Sequence, residues 1–242
     1  MVSGELVLAV DGPIATIVIT NPTKRNAMTA AMWRALPDLL KGLAADPAVR
    51  VLILAGDGGT FCAGADLAET ADAARAVDAA LAVEAEDALA AFPKPTIARV
   101  DGFCVGGGCQ LAVACDLRIA ASDSRFGVPP AKLGVVYPTS TTHRLAALVG
   151  PARAKLLLFT GDLIDAATAE RFGLIDAVVP AAELAASVLH TATTIAARSQ
   201  LTIRAAKAVL ADLEPPAPDE AEMAEGVAAF RARRLPNFGW SG

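Results

Sequence analysis

Residues 101–116, DGFCVGGGCQLAVACD, set three consecutive glycines, Gly106 to Gly108, between a short apolar run and an apolar helical pattern. Bare backbone where a strand turns into a helix leaves N–H groups free at the positive end of a helix dipole, which suits an anion. A phosphate is the first anion to consider, and the residues exclude the usual motifs. VGGGCQ has no Lys-Ser or Lys-Thr pair as in a P-loop, and no third glycine follows at the spacing of a dinucleotide fingerprint. Tight packing of helix on strand is the plain alternative.

A second stretch, TFCAGADL at 60–67, also leads from a strand end through small residues into a helix, with Asp66 near the expected first turn. Two such loops can each aim one backbone N–H at the same point. Convergent donors of this kind are what a thioester carbonyl needs as it becomes an enolate or a tetrahedral oxyanion, and each donor is worth about 3–4 kcal/mol. Small side chains are required because the acyl group must lie directly against the backbone. For Asp66 taken alone, an ordinary carboxylate at a helix N-terminus is an equally good reading.

The elements that must hold these loops alternate. ELVLAVDGPIATIVIT at 5–20 reads as two strands around Asp11-Gly12-Pro13, a hairpin. Apolar residues at helical spacing over 29–43 predict a helix that Pro37 kinks or breaks. VRVLILAG is a continuous apolar run of strand length, as in a parallel sheet covered on both faces. An alanine-rich helix over about 71–91, the strand TIARVDG, a helix ending near Asp116 and the strand LRIAA continue the alternation, so crossovers are implied. From Thr139 onward the pattern is helical except for GLIDAVVP, with helices at 181–198 and 201–213, a break at EPPAP and a last helix through EAEMAEGVAAFRARR.

Composition bounds the partners. The 242 residues are 54% hydrophobic with a net charge of −5, which fits a globular chain that buries a large core. Lys and Arg are scattered, so nucleic acid is not an expected partner. The N-terminus lacks the features of a secretory signal and no apolar run reaches membrane-spanning length, so no membrane association and a cytoplasmic location are expected. The four cysteines, Cys62, Cys104, Cys109 and Cys115, lack CxxC spacing and read as small packing residues. His143 and His190 are too few and too far apart to add a metal site, and none is expected.

In order, NPTKRNAMT, FCAGADL, VDGFCVGGGCQLAVACDLRIAA, FGVPPAKLG and GLIDAVVP resemble the motifs of the enoyl-CoA hydratase/isomerase, or crotonase, superfamily. The likeness covers essentially the whole chain, including the terminal EGVAAFRARR. It implies an α/β fold: a crotonase-type spiral of ββα units over 1–197 and a C-terminal helical region, 198–242, that mediates a homotrimer, often paired into a hexamer as a dimer of trimers. It implies that Ala65 and Gly107 supply the two oxyanion-hole N–H groups for the carbonyl of an acyl-CoA thioester, with Gly106 and Gly108 structural. The adenine of coenzyme A is implied to lie against the backbone around Ala63, Asp66 and Leu67, with Lys24 or Arg25 near the phosphates. Phe230 and Arg233 match positions that reach a neighbouring subunit's coenzyme A. Coenzyme A is then part of the substrate, and no separate cofactor is expected.

The chain departs from the superfamily's pattern in its acid–base residues. The hydratases use two glutamates, one three residues after the middle glycine and one in an FG.PE motif; those places hold Gln110 and Pro130. Gln110 orients a water but accepts no proton at neutral pH, and Pro130 has neither a polar side chain nor an N–H. Each general acid–base group contributes roughly 10²–10⁴-fold, so the two-glutamate hydratase mechanism is not expected. The one-glutamate isomerase mechanism uses the position now held by Pro130 and is affected as well.

Three readings follow. The first is a hydratase/isomerase-type enzyme whose acid–base group comes from elsewhere; Glu84, Glu86 and Asp72 are the candidates, although the ordinary reading of all three is a solvated helix face. The second is decarboxylation of a malonyl-type thioester, which leaves an enolate and needs no carboxylate base. PPAKLGVVYP resembles methylmalonyl-CoA decarboxylases, and Tyr137, the only tyrosine, falls where they carry a functional one, while Ala65 stands in place of a histidine beside the hole. Packing, with its hydroxyl bonded to backbone, is the alternative role for Tyr137. The third is a non-catalytic acyl-CoA binder; an enzyme is favoured over it. His143, expected near a helix start, and Cys62 and Cys109, which have no sequence-local base, read as non-catalytic.

Overall fold

The alternating run around Gly12 forms β1 (Glu5–Asp11) and β2 (Ile14–Thr20), paired antiparallel from Glu5 opposite Thr20 to Asp11 opposite Ile14. A computed structural model describes residues 4–66 and 74–239 of the chain. Helix α1 (Ala30–Ala45) starts at Thr29, whose hydroxyl accepts the Met32 N–H, and runs through Pro37 without a break. A proline inside a helix costs about 3 kcal/mol. Burial of Met32, Trp33, Leu36, Leu40 and Leu43 on one face offsets that here, which is why the local expectation of a break fails. Lys94, itself buried, donates to the carbonyls of Leu43 and Asp46 at the end of this helix.

Strand β3 (Val51–Gly56) lies parallel to β2 on one side and to β4 (Thr96–Val100) on the other. All six of its residues are buried, and they divide by alternation. Leu52 and Leu54 enter the main core with α1, while Val51 and Ile53 meet Leu184, Val188, Ala192 and Ala196 of α8 (Leu184–Ala196) on the other face. A sheet covered on both faces is what an unbroken apolar run requires. With β6 (Leu117–Ala121) and β9 (Ala177–Val179) the strands make a six-stranded sheet, ordered β1-β2-β3-β4-β6-β9 and parallel except for the hairpin.

A second, three-stranded sheet is ordered β5 (Phe103–Val105), β7 (Arg125–Gly127), β8 (Ile164–Asp165), and Cys62 adds a single bridge to Cys104 at its edge. The ββα repeat is now visible. A strand of the large sheet is followed by a segment of the small one and then a helix: β3, Cys62, α2 (Ala74–Ala90); β4, β5, α3 (Gly107–Ala114); β6, β7, α4 (Pro130–Leu133). The short strands escape the sequence reading because two or three residues carry no periodicity.

Helices α5 (Thr139–Val149), α6 (Pro151–Thr160) and α7 (Ala166–Phe172) follow, so GLIDAVVP supplies β9 as expected, and β8 is an additional strand within the predicted helical stretch. The turn after α8 leads to α9 (Gln200–Leu210) and α10 (Glu220–Ala232). Lys207 of α9 ties this pair to the core through Asp116 at 2.7 Å, and Ser199, which caps α9, donates to Glu222 of α10. No helix among the described residues is long and apolar enough to cross a membrane.

Candidate functional site

The two glycine-bearing loops meet because backbone hydrogen bonds pull them together. Asn26 donates its amide to the carbonyls of Asp57 and Thr60, and Cys62 donates its N–H to Phe103 while its carbonyl accepts from Val105. Met28 then bridges the segment 64–66: its N–H goes to the Gly64 carbonyl, and its own carbonyl accepts from Asp66. Along an extended chain the N–H groups alternate in direction, so the N–H of Ala65 faces away from Met28. On the other loop Gly107 is the first residue of α3, where a backbone N–H has no intrahelical acceptor. A Cβ built on Gly107 would stand 3.9 Å from the Ala65 nitrogen.

Two of the three consecutive glycines are required outright, and the middle one is closely packed. Gly106 has φ +59 and ψ −126, a conformation that L side chains avoid. At Gly107 a Cβ would approach the Trp33 ring to 3.2 Å. At Gly108 it would come within 2.3 Å of the Cys62 carbonyl oxygen, so α3 packs this closely on the preceding loop only without a side chain there.

A cavity of about 310 Å³ opens over this meeting point. Ala63, Gly64, Ala65, Gly106 and Gly107 line one end of it; α2 contributes Ala79, Ala82, Val83 and Glu86, and Leu133 to Pro138 supply much of the facing wall. Gln110 of α3 is 2% exposed, lines the cavity, and neither atom of its amide has a hydrogen-bond partner. The indole nitrogen of Trp33 is buried and unpaired in the same way. Tyr137 lies on the wall with its hydroxyl 3.5 Å from where a Gly106 Cβ would be, and burial pushes its hydroxyl well above the usual range.

Glu86 overturns the reading of α2 as a solvated charged face. It is only 3% exposed and lines the cavity, and burial raises its carboxyl from 4.5 to about 8. Arg144 of α5 acts in the opposite direction, with Nη1 bonded to Asp87 at 2.7 Å and its buried Nε and Nη2 unpartnered, while the Asp87 charge raises Glu86 further. The signal was available: Ala82, Val83 and Leu89 stand four before, three before and three after Glu86, which puts it on the apolar face. Glu84 is exposed and off the cavity, as a solvated charge should be, and Asp72 lies outside the described residues.

Of the residues singled out for coenzyme A, Ala63 lines the cavity and Leu67 lies outside the described residues. Asp66 is buried and receives a hydrogen bond from Lys24 at 2.5 Å, while the Arg25 guanidinium lies 5.0 Å from the centre of the Phe103 ring. Phe230 and Arg233 are at the end of α10, with Phe230 84% exposed, and neither lines the cavity. Pro130 is buried as the first residue of α4, and it is Pro129 that reaches the wall. His143 is exposed on α5. The four cysteines are free and buried; burial pushes Cys62 and Cys115 up to about 12, so neither is a ready nucleophile. The described residues hold no cluster of His, Cys, Asp and Glu suited to a metal ion.

A family model described as enoyl-CoA hydratase/isomerase matches residues 10–233. The chain belongs to this family. It is 36% identical to a crotonyl-CoA hydratase of Syntrophomonas wolfei, with 97% of each chain covered, and 36% identical to a probable enoyl-CoA hydratase of Rhizobium meliloti over 96% of this chain and 97% of that one. Among solved structures, a putative enoyl-CoA hydratase/isomerase family protein from Hyphomonas neptunium superposes with a TM-score of 0.89 at 37% identity over 97% of both chains. The architecture is thus the crotonase-type spiral, and the family to which the chain belongs processes acyl-CoA thioesters.

Proposed function

We propose that this enoyl-CoA hydratase/isomerase family member binds an acyl-CoA thioester with its carbonyl oxygen between the N–H groups of Ala65 and Gly107. The observation that carries this reading is the meeting of those two loops at one end of an apolar cavity. The acyl chain extends between α2 and the 133–138 segment, and the nucleotide runs outward past Ala63 and Asp66 toward Lys24 and Arg25. In an apolar enclosure two fixed donors act at nearly full strength on the charge that develops on oxygen, and they need no reorganisation to do so. The C-terminal helices leave Leu210, Phe230 and Leu235 more than four-fifths exposed. We read that surface as the contact with neighbouring copies in a homotrimer or a hexamer.

Decarboxylation stands as the second reading because Tyr137 lies on the cavity wall. Against it, the described lining offers no cation to hold a malonyl carboxylate. A buried carboxyl on the wall likewise weighs against a silent binder, since burying one without a dedicated partner serves no packing purpose.

The test is Gly107→Pro, which removes one N–H at a helix position that tolerates proline. Turnover of β,γ-hexenoyl-CoA is expected to fall roughly 100-fold or more, the effect of losing one such donor. A melting curve controls for the crowding at Trp33. A folded variant with unchanged turnover and unchanged acyl-CoA affinity sinks the reading.

A further inference from the structure

Among the described residues lining the cavity only Glu86 and Tyr137 can ionise, and the tyrosine does so far above any working pH. Glu86 is also placed where its charge is poorly compensated. Arg144 comes from α5 and gives Nη1 to Asp87, leaving Nε and Nη2 buried without a partner, and its charge only partly offsets the burial of Glu86; Tyr137 approaches from the segment before α5, and Cys62 from the loop after β3, while Gln110 of α3 and Trp33 of α1 bring no charge. A neutral side chain would pack at this position at lower cost. The retained carboxyl sits on the same cavity as the two main-chain loops and as an amide, Gln110, whose donors and acceptor are unspent.

We propose that Glu86 is the proton-transfer residue of this cavity, taking a proton from the carbon beside the polarised thioester carbonyl and returning it to the same substrate. The proposal rests on the reading of Ala65 and Gly107 as the carbonyl site. One carboxyl suffices for a 1,3-proton shift. From a β,γ-enoyl thioester the carboxylate removes an α-proton; the C–H electron pair delocalises into a dienolate whose negative charge lies on the thioester oxygen. The carboxylic acid so formed delivers the proton to the γ-carbon, and the double bond ends between the α- and β-carbons. One proton leaves and returns, and no water or second acid is consumed. Hydration would need a proton taken from water and another delivered to the α-carbon, for which the described wall offers one carboxyl and a neutral amide. The walls from Ala79, Ala82, Val83, Leu133, Val135 and Val136 suit a neutral, apolar acyl chain. With the carboxyl held near 8, both its forms are populated close to neutral pH, which a base that must also act as an acid requires.

The experiment uses the full chain with two probes. Hexanoyl-CoA in deuterium oxide reports α-proton exchange by mass spectrometry, and β,γ-hexenoyl-CoA reports isomerisation by the rise in conjugated-enoyl absorbance. The parent is expected to do both, with a rate that climbs as pH rises toward about 8. Glu86→Gln is expected to lose at least roughly 100-fold in both and to lose that pH limb, while hexanoyl-CoA affinity stays within about threefold. Glu86→Asp recovers part of the rate, and Glu84→Gln on the same helix behaves as the parent. Exchange and isomerisation that survive in Glu86→Gln overturn the proposal. So does a parent that binds hexanoyl-CoA yet catalyses neither reaction, and in that case the carbonyl site still stands. A parent that does not bind hexanoyl-CoA overturns both readings.

Discussion

Where the cavity meets Gly107 its surface is main chain held by the core. Gly64 and Asp66 are bonded to Met28, Val105 to Cys62, and Gly106 to Gly127. Where it meets Glu86 its surface is a helix face, and the polar group there is a buried carboxyl whose charge Arg144, bonded through Nη1 to Asp87, only partly offsets. The first region does its proposed work with groups every residue possesses, so it can be satisfied and functional without a charged side chain. The second holds an ionisable group at a cost in stability. A donor pair of backbone is hard to alter without damaging the fold, whereas one side chain on a wall is easily moved or exchanged. The absence of glutamate at Gln110 and Pro130 and its presence at Glu86 fit that difference.

The largest effect that would sharpen this contrast is on the main-chain side. Gly108→Ala places a Cβ 2.3 Å from the Cys62 carbonyl, where only backbone can give way. Overpacking of that kind is expected to cost about 3 kcal/mol or more, read from a denaturant melt. A variant as stable as the parent would show that the loop is less fixed than its hydrogen bonds indicate.

Glu86→Gln should have the opposite sign and depend on pH. The folded chain holds the Glu86 proton up to about 8, against 4.5 for an ordinary glutamate, so it binds that proton more tightly than the unfolded chain does. The stability this gives the parent is complete below about pH 4.5 and is lost as pH rises to about 8. The glutamine variant should therefore gain on the parent across that window, by a few kcal/mol at the alkaline end. Melts of both chains that run parallel from acid to alkaline pH would show the wall to be as well compensated as the floor. The smallest effect is expected at the rim. Lys24 is 41% exposed although its partner Asp66 is buried, so Lys24→Met should cost on the order of 1 kcal/mol. If Lys24 lies near the coenzyme A phosphates, KM should rise several-fold with kcat unchanged.

Much of the main-chain region could be read from residue types. Runs of Gly and Ala at the start of helices announce close approach of backbone, and the continuous apolar run at β3 announced a sheet covered on both faces. The wall was harder. Glu86 looks like any charge on an alanine-rich helix until Ala82, Val83 and Leu89 are recognised as its face, and alanine is too small to mark a face clearly. Pro37 misled for a related reason: a local propensity predicted a break that the packing of Trp33 and Leu36 prevents.

The order of strand and helix, the sites where backbone must be bare, and the absence of glutamate at two family positions are properties of the linear chain, because each depends on local conformation or on residue identity alone. Which carboxyl is buried was decided by the tertiary structure. α2 had to settle beside α3 and α5 before Glu86 lost its water while Glu84, two residues earlier on the same helix, kept it. Desolvation depends on everything that packs around a group, and that information is spread over the whole fold.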